Sequence, residues 1–357
     1  MSSPAPIVKN MIDTSAVGFG KAANRQLAAL LRTAKGQDVF APVSVIVPSN
    51  YVAVTLRRDL AKGDYGPTSA IGNGLVATNF LTSYRLAETI FGNSFLNQGK
   101  QPVRSVVISA AIRQALSEDP GIFRPIAHHG ATERGLLEAY RELRDLQDTE
   151  LDNLASLGER SSEIVRICNT AYQLLSNDWF DEFDLFRSTN LSDKEVADMG
   201  KLVLFLPQQL ANTEMEFLER LSKVSAISAL IGVTGVTEAD RDAHRLANYF
   251  DKQLSLPDPK PTSSATIISV SDADDEVRTT LRSVVGLLDQ GVRADQIAIL
   301  YPHQHPYARL LEEQLNASEI CFNGISARTV ADSMLGRFIS RLLALPDKDL
   351  HVREILS

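Results

Sequence analysis

A glycine-rich turn near the start of the chain is the first place where residue types and spacing indicate chemistry. In a phosphate-binding loop of the form G-x-x-x-x-G-K-[ST], backbone N–H groups cradle the phosphates, the lysine contacts their outer oxygens and the hydroxyl ligates Mg²⁺. Gly20 and Lys21 occupy the last glycine and the lysine of this frame. Ser15 and Ala22 stand where the first glycine and the metal-ligating hydroxyl belong. The turn therefore indicates a nucleotide site that has lost the means to hold Mg²⁺ and to hydrolyse ATP.

The same turn also satisfies the dinucleotide-binding pattern G-x-G-x-x-[GA], from Gly18 through Gly20 to Ala23. That pattern requires an acidic residue near the end of the second strand to bind the ribose, but the second strand-like run ends in proline, serine and asparagine at 48–50. A third interpretation needs no ligand, because glycines also allow a strand to turn into a helix for steric reasons alone. The sequence leaves all three open.

A second position bears on the nucleotide interpretation. The Mg²⁺ of a P-loop ATPase is also held by a carboxylate, expected directly after an apolar strand. The apolar run at 202–206 suits that strand, but Pro207 and Gln208 follow it. Two catalytic positions are thus lost in a chain whose layout still suits the fold, which favours a decayed ATPase over an unrelated sequence.

Composition narrows the class of protein. The chain has 357 residues, of which 44% are hydrophobic and 22% charged, and a formal net charge of −8. This charge argues against a protein that binds polyanions over its whole surface, but it leaves room for a local basic groove. The two cysteines, Cys168 and Cys321, indicate a reducing compartment. Because the sequence has neither a signal peptide nor a membrane-spanning run, it predicts a cytoplasmic protein without membrane contact.

Strand-like and helix-like segments alternate in the first hundred residues and again after residue 200. The strand-like runs are 7–12, 43–47, 75–80, 202–206 and 229–233, and the helical patterns after them begin near 21, 51, 81, 213 and 239. Residues 102–185 instead place apolar side chains at three- and four-residue spacing, which is typical of helices. The predicted fold class is α/β: a RecA-like parallel sheet of the P-loop NTPase type with an inserted all-helical subdomain, followed by the start of a second RecA-like unit.

These segments define the predicted domains. Residues 1–100 form the first part of a RecA-like domain, 101–190 the helical insertion, 191–256 the second part of that domain, 257–264 a linker rich in proline and serine, and 265–357 the start of a second RecA-like domain. In the second domain, strands are predicted at 266–270 and 296–300, and helices at 273–290, 305–316 and 328–345. Two strands are too few for a finished domain, so the sequence is predicted to be part of a longer protein.

Several segments resemble superfamily 1 helicases of the UvrD type, and more closely their inactivated relatives in AddB/RexB-like helicase–nuclease subunits. Residues 46–58 resemble the family's Thr-Asn-Lys-Ala-Ala segment, where the second strand ends and single-stranded DNA is contacted, although Tyr51 replaces the lysine. Residues 76–87 are similar to the next DNA-facing segment, and 274–315 to the opening of the second motor domain. The DNA-binding residues predicted in these segments are Ser49, Asn50, Arg57, Arg58, Thr82 and Ser83.

The resemblance implies a scaffold without ATPase activity. Pro302 replaces the family's nucleotide-binding arginine, and the nucleotide-sensing motif is missing around Gly232, so the degenerate site would consist of Gly18, Gly20 and Lys21. The family's role implies DNA double-strand-break processing and recombinational repair, with an ATP-hydrolysing helicase subunit as partner. It also implies a PD-(D/E)XK nuclease domain beyond residue 357, with Mg²⁺ and, as an option, an iron–sulfur cluster there. Residues 1–357 are expected to hold no metal and no cofactor.

Two functions of other classes stay open. One is a Rossmann-like enzyme that binds a dinucleotide at 18–23, and the other is a protein-interaction platform without DNA contact. The acidic cluster at 272–276 is interpreted as the N-terminus of a helix rather than as a metal site, because acidic residues stabilise that end of a helix.

Overall fold

The chain divides into two compact units, Met1–Pro261 and Thr262–Ser357. The structure is a computed structural model that describes residues 12–189, 193–250, 254, 265–324 and 333–343. The division falls where the linker is predicted, at 257–264, although the linker itself lies outside the described residues. The first unit contains the sheet and the helical block, and the second contains the helices that follow residue 272.

One parallel sheet organises the first unit. The strands in the described part of the chain are β1 (Ile12–Gly18), β2 (Val43–Ile46), β3 (Thr78–Leu81), β4 (Gln101–Pro102), β5 (Trp179–Phe180), β6 (Lys201–Phe205) and β7 (Ile227–Val233). Five of them form the sheet in the order β1-β7-β6-β2-β3, and β4 pairs with β5 separately. Because β6 pairs directly with β2, the prediction that segments on both sides of the helical block share one parallel sheet is confirmed.

Helices cover both faces of this sheet. The helices in the described part of the first unit, including those of the inserted block, are α1 (Lys21–Lys35), α2 (Asn50–Lys62), α3 (Ser83–Asn97), α4 (Ser105–Glu118), α5 (Gly130–Arg144), α6 (Asp148–Ser156), α7 (Glu159–Leu175), α8 (Glu182–Arg187), α9 (Asp193–Met199), α10 (Asn212–Ser222) and α11 (Arg241–Tyr249). Alternate residues of β6 pack into two different core clusters, one with α1 and α2 and the other with α3, α10 and α11. Strands that are buried on both faces explain the continuous apolar runs in the sequence.

The first strand differs from the prediction. The strand was expected at 7–12, but residues 7–11 lie outside the described part, and β1 runs from Ile12 to Gly18, paired with β7 along its whole length. Only Phe19 and Gly20 separate β1 from α1. The strand continues to Gly18 because β7 supplies seven consecutive residues for pairing. The chain therefore stays extended over residues that, in a phosphate-binding loop, would leave the sheet.

The block between β3 and β6 is helical, as its apolar spacing predicts. Helices α4, α5 and α7 pack around a core of their own, centred on Ile112, Tyr140 and Ile167. No helix in the described residues is long and apolar enough to cross a membrane.

Charged contacts join this block to the α/β part of the unit. At the end of α5, Arg144 donates to both carboxylate oxygens of Asp181, at 2.8 and 3.1 Å, and to Asp184 at 2.6 Å. Its neighbour Asp145 accepts hydrogen bonds from the backbone N–H groups of Asn212 and Thr213, both at 2.9 Å. The Arg144 contacts fix the end of α5 to α8 within the block, and the Asp145 contacts fix it to α10 of the α/β part. Both α8 and α10 border the candidate site.

The second unit contains α12 (Ala273–Asp289), α13 (Tyr307–Ala317) and α14 (Met334–Leu343). Helices α12 and α13 pack through a small apolar core. The prediction of strands at 266–270 and 296–300 is wrong, since neither segment pairs as a strand among the described residues. Ile267 and Leu300 are 96% and 93% exposed. Their β-prone side chains form no strand because a strand needs a hydrogen-bonded neighbour. The predicted helix 328–345 extends beyond the described residues at both ends.

Candidate functional site

The carboxyl ends of the strands open into a cleft of about 700 Å³. Residues from the ends of β2, β6 and β7 line it, together with residues from α3, α8, α10 and α11. After β2 the chain continues to β3 on one side, whereas after β6 it continues to β7 on the other side, so the strand order reverses between β2 and β6. In open parallel sheets ligands bind where this reversal occurs, which makes the cleft the candidate site.

Two positions singled out in the sequence, Pro207 and Gly232, meet in this cleft with Phe19, which the sequence analysis did not single out. Pro207 follows β6, Gly232 lies near the end of β7, and Phe19 comes from the turn between β1 and α1. The ring of Phe19 lies against Gly232, since a Cβ built at position 232 would be 2.5 Å from two ring carbons. The Phe19 ring therefore occupies the space beside the turn between β1 and α1. A nucleotide phosphate bound at this turn would need backbone N–H groups in that space.

Gly18, Gly20 and Lys21, the residues expected to bind phosphate, do not line the cleft. Gly18 is the last residue of β1, paired with Val233, and Gly20 has a φ of 78°, a left-handed value that favours glycine. Lys21 is the first residue of α1 and is exposed. The two-residue turn is shorter than the four residues that separate the glycines of a phosphate-binding loop, so the backbone cannot wrap a phosphate in that way.

The charge of the cleft also disfavours phosphate. Its lining contains four acidic residues and no lysine, arginine or histidine; the acids are Glu182, Glu214, Asp240 and Asp242. A cleft lined by charges of one sign concentrates the opposite sign and repels its own. An anionic ligand would have to overcome this repulsion without a basic partner in the lining.

Two of these carboxyl groups have perturbed pKa values. Burial raises the pKa of Glu214, and the charges of Glu182 and Asp145 raise it further, against a hydrogen bond from Ser83 that lowers it. Burial and the charge of Asp181 raise the pKa of Glu182. Titratable groups with shifted pKa values in a cleft are typical of functional sites, although structural networks shift them too.

Asp240 has a structural role. Its carboxylate accepts hydrogen bonds from the backbone N–H groups of Thr234 and Gly235, both at 2.8 Å, and from the Thr234 hydroxyl at 2.9 Å. Burial raises the pKa of Asp240, but these hydrogen bonds outweigh it and the pKa is lowered. The carboxylate thus organises the turn after β7 and has little capacity left for a ligand.

The predicted DNA-binding residues fall into separate groups. Thr82 and Ser83 line the cleft, whereas Ser49 and Asn50 do not. Ser49 and Thr82 are the N-cap residues of α2 and α3, and each hydroxyl accepts a backbone N–H at 3.3 Å. These roles explain both residues without DNA, although each hydroxyl keeps its own hydrogen to donate.

Arg57 and Arg58 lie about 10 Å along α2 from its first residue, at a rise of 1.5 Å per residue, and both side chains are exposed. The guanidinium of Arg57 lies over the ring of Phe80, 5.8 Å from its centroid. Neither arginine forms an ion pair within the part of the chain that the structure describes. The structure therefore places the predicted basic residues outside the cleft.

Sequence reasoning missed several residues of the cleft. Glu182 and Glu214 belong to helices on different parts of the chain, and no motif spacing links them, so only tertiary packing brings them together. Leu206, between the lining residues Phe205 and Pro207, adopts a φ of 46°, a left-handed conformation that is costly for a residue other than glycine. Phe19 could have been noticed, because a large aromatic residue between two glycines suits a close-packed turn better than a phosphate cradle.

Comparison with known proteins assigns no family to this site. No family model matches the chain, and no curated protein matches it. The geometry and the charge of the cleft are therefore the observations that a functional interpretation has to satisfy.

Proposed function

We propose that this chain is an ATPase-dead, helicase-like scaffold that binds DNA within a helicase–nuclease. Its role would be DNA double-strand-break processing and recombinational repair, in the cytoplasm and away from membranes. The parallel sheet interrupted by a helical block is compatible with a RecA-like fold of the P-loop NTPase type. The observation that supports the proposal is the turn between β1 and α1, which keeps Gly20 and Lys21 but is only two residues long and carries the Phe19 ring at the border of an acidic cleft.

The chemistry of ATP hydrolysis would come from a partner. A separate ATP-hydrolysing helicase subunit would drive movement, while this chain guides DNA. The PD-(D/E)XK nuclease, with its Mg²⁺ and optional iron–sulfur cluster, would belong to sequence beyond residue 357. Among the described residues no group of three or more histidine, cysteine, aspartate or glutamate side chains is arranged to hold a metal ion.

The DNA-binding part of the proposal rests on Arg57 and Arg58, which are exposed and form no ion pair among the described residues, and on the hydroxyl and amide groups of Ser49 and Asn50. Thr82 and Ser83 line the acidic cleft and therefore contribute less to it. Such short polar groups bond phosphate oxygens without reading the base. Binding should therefore be indifferent to sequence and sensitive to salt.

An ATPase assay tests the first half of the proposal. The purified protein should hydrolyse no ATP above background, with or without single-stranded DNA. Ala22→Thr should not restore activity, because Pro207 still stands in place of a carboxylate and the turn is still two residues long. DNA-stimulated hydrolysis that disappears in Lys21→Ala would overturn the proposal.

A binding assay tests the second half. The full chain should bind single-stranded oligonucleotides weakly at low salt. Arg57→Ala with Arg58→Ala should reduce the slope of log affinity against log salt by about 0.7 for each phosphate that the arginines neutralise. Failure of the unmodified chain to bind DNA at low salt would remove DNA from the proposal and leave the interaction-platform function.

Two observations favour the dinucleotide-binding alternative. The short turn and the fully buried Ala23 match the tight strand–helix packing of the dinucleotide fingerprint. Against it, β1 stands at an end of the sheet order, away from the reversal between β2 and β6. Calorimetric titration separates the two, since micromolar binding of NAD or NADP would overturn the scaffold function.

A further inference from the structure

The first helix carries a row of basic side chains and no acidic residue. Lys21, Arg25 and Arg32 are exposed on α1, and at 100° per residue they fall within an arc of about 40°. They form no ion pair within the described ranges. The chain has a net charge of −8, so three exposed cations in one row, without ion-pair partners among the described residues, form a local basic surface.

The other basic residue of this helix has a structural role. Lys35 is 97% buried, with a relative exposure of 3%, and its ammonium donates to the carbonyl oxygens of Val39, Ala41 and Val76, at 3.1, 2.9 and 2.5 Å. These bonds fix the C-terminal end of α1 to the segments that lead into β2 and β3. Fold stability thus accounts for Lys35 but not for the exposed row.

A groove of about 510 Å³ runs beside this row. Arg25, Arg32 and Thr33 of α1 form one wall, and Tyr65 with the loop between α2 and β3 forms the other. Its lining contains no aspartate or glutamate. The groove is therefore the electrostatic opposite of the cleft at the carboxyl ends of the strands.

The wall opposite α1 is held in place. In the loop between α2 and β3, the buried Thr68 hydroxyl donates to the carbonyl of Gly74 at 2.9 Å, and the buried Ser69 hydroxyl donates to that of Gly72 at 3.0 Å. Tyr65 is half-buried and packs against the core under α1 and α2. The groove thus has two fixed walls, one basic and one with an aromatic ring.

We infer that this groove binds the backbone of single-stranded DNA. The inference rests on the proposed function for the presence of DNA, and it names the path: phosphates pair with the row of Lys21, Arg25 and Arg32, and Tyr65 offers its ring to a base. The three cations are spaced about 6 and 10 Å apart along the helix axis. A basic groove with an aromatic side chain is how proteins bind single strands without sequence preference.

Phosphate contacts and base stacking are expected to affect the salt dependence of binding differently. Each phosphate contact contributes about 0.7 to the slope of log affinity against log salt for a single strand, so the row of three cations predicts a slope of about −2. Arg25 and Arg32, which line the groove, account for about 1.4 of it, and Lys21 continues the row outside the lining. Stacking of a base on an aromatic ring contributes about 1–3 kcal/mol, which corresponds to roughly 5- to 150-fold in affinity, and does not involve counterions.

The experiment is fluorescence anisotropy of a labelled oligothymidylate with the full chain, from about 50 to 200 mM salt. Arg25→Ala with Arg32→Ala should reduce the magnitude of the slope by about 1.4, and Tyr65→Leu should lower affinity by roughly tenfold without changing the slope. The matched control is Arg134→Ala with Arg160→Ala, which removes the same charge from exposed positions of α5 and α7 and should leave the slope as in the unmodified chain.

The outcomes separate the inference from the proposed function. Binding that falls with Arg57→Ala and Arg58→Ala, but responds to the α1 pair only as much as to the control pair, overturns the groove and keeps the DNA-binding scaffold. No binding by the unmodified chain overturns both. Equal displacement of the oligonucleotide by a polyglutamate peptide of the same charge would identify the groove as a site for acidic protein and overturn the inference.

Discussion

The ring of Phe19 lies directly over the backbone of Gly232, so closely that a Cβ at position 232 would be 2.5 Å from the Cε1 and Cζ atoms of the ring. This contact joins the turn after β1 to the end of β7 at the border of the acidic cleft. Phe19 is 50% exposed, so the contact is made at the surface of the cleft and not in the core. The absence of a side chain at Gly232 is what allows the ring to lie there.

We predict that Gly232→Ala destabilises the protein by about 1–2 kcal/mol, because the new methyl group displaces the Phe19 ring and crowds a methyl group of Leu206, 3.1 Å away. In a Phe19→Ala background the same substitution should destabilise the protein by at least about 0.5 kcal/mol less, because residues in contact have coupling energies of about this size or larger. Urea unfolding of the four variants of this cycle measures the difference. Additive effects would show that the two residues do not interact in solution.

The buried guanidinium at the end of α5 supports a second prediction. The side chains of Arg144 and Asp181 are only 11% and 10% exposed, and the guanidinium lies over the ring of Tyr172 at 4.0 Å. Arg144→Ala leaves two carboxylates buried without a cation, which should cost about 3–5 kcal/mol. Arg166→Ala is the matched control, because its ion pairs are more exposed and should contribute about 0–1 kcal/mol.

The loss of stability in Arg144→Ala should depend on pH. Burial and the neighbouring Asp181 raise the pKa of Asp184, and Arg144 lowers it, so removal of the arginine raises that pKa further above its unfolded value. A carboxyl group with a raised folded pKa contributes stability below its unfolded pKa and loses it as the pH rises through the folded pKa. The gap between the variant and the unmodified protein should therefore narrow as the pH falls from neutral to about 5. A gap that widens would contradict this account.

The third prediction concerns Glu214 in the cleft. Its folded pKa is raised above the ordinary value of 4.5, chiefly by burial, so the charged form destabilises the fold as the pH rises through the folded pKa. Glu214→Gln should be more stable than the unmodified protein at about pH 8, and this advantage should disappear near pH 4. Urea unfolding at both pH values measures it, with Glu138→Gln on the exposed surface of α5 as the reference for losing one carboxyl group. An advantage present only at acid pH would contradict the assigned direction.

The sheet of the first unit was predictable because its strands are buried on both faces. The apolar runs that became β2, β6 and β7 can hardly lie anywhere except inside a parallel sheet, and helical spacing separates the inserted block from them. The register of β1 was not predictable in this way. Its polar residues, such as Asp13 and Ser15, resemble a loop, and only pairing with β7, two hundred residues later, keeps them extended.

The candidate site was predictable only in part. Pro207 and Gly232, which the sequence singled out, line the cleft, whereas Gly18, Gly20 and Lys21 do not. The acidic lining depends on Glu182 and Glu214, whose helices are brought together by packing that no local pattern encodes. For the same reason the basic groove was missed, since Arg25 and Tyr65 are forty residues apart and meet only when α1 and the loop after α2 are placed on the sheet.

The last prediction concerns Asp145, which caps a helix that is distant in sequence. It follows α5, and its carboxylate accepts the backbone N–H groups of Asn212 and Thr213 and the Thr213 hydroxyl, at 2.9, 2.9 and 2.8 Å. These N–H groups are at the start of α10, where a helix has no internal acceptors and favours negative charge. The carboxylate of the helical block thus replaces the capping side chain that Ala211, the N-cap residue of α10, cannot provide.

Asp145→Ala should therefore cost about 2 kcal/mol, the upper end for loss of a cap, because it removes three hydrogen bonds and a favourable charge together. Asp145→Asn should cost less, since its carbonyl oxygen still accepts from Thr213 while its amide cannot accept from Asn212. Asp152→Ala, at an exposed position of α6, is the control and should stay within about 0.5 kcal/mol of the unmodified protein. Urea unfolding ranks the three variants. If Asp145→Ala were no more destabilised than the control, the carboxylate of the helical block would not be capping α10.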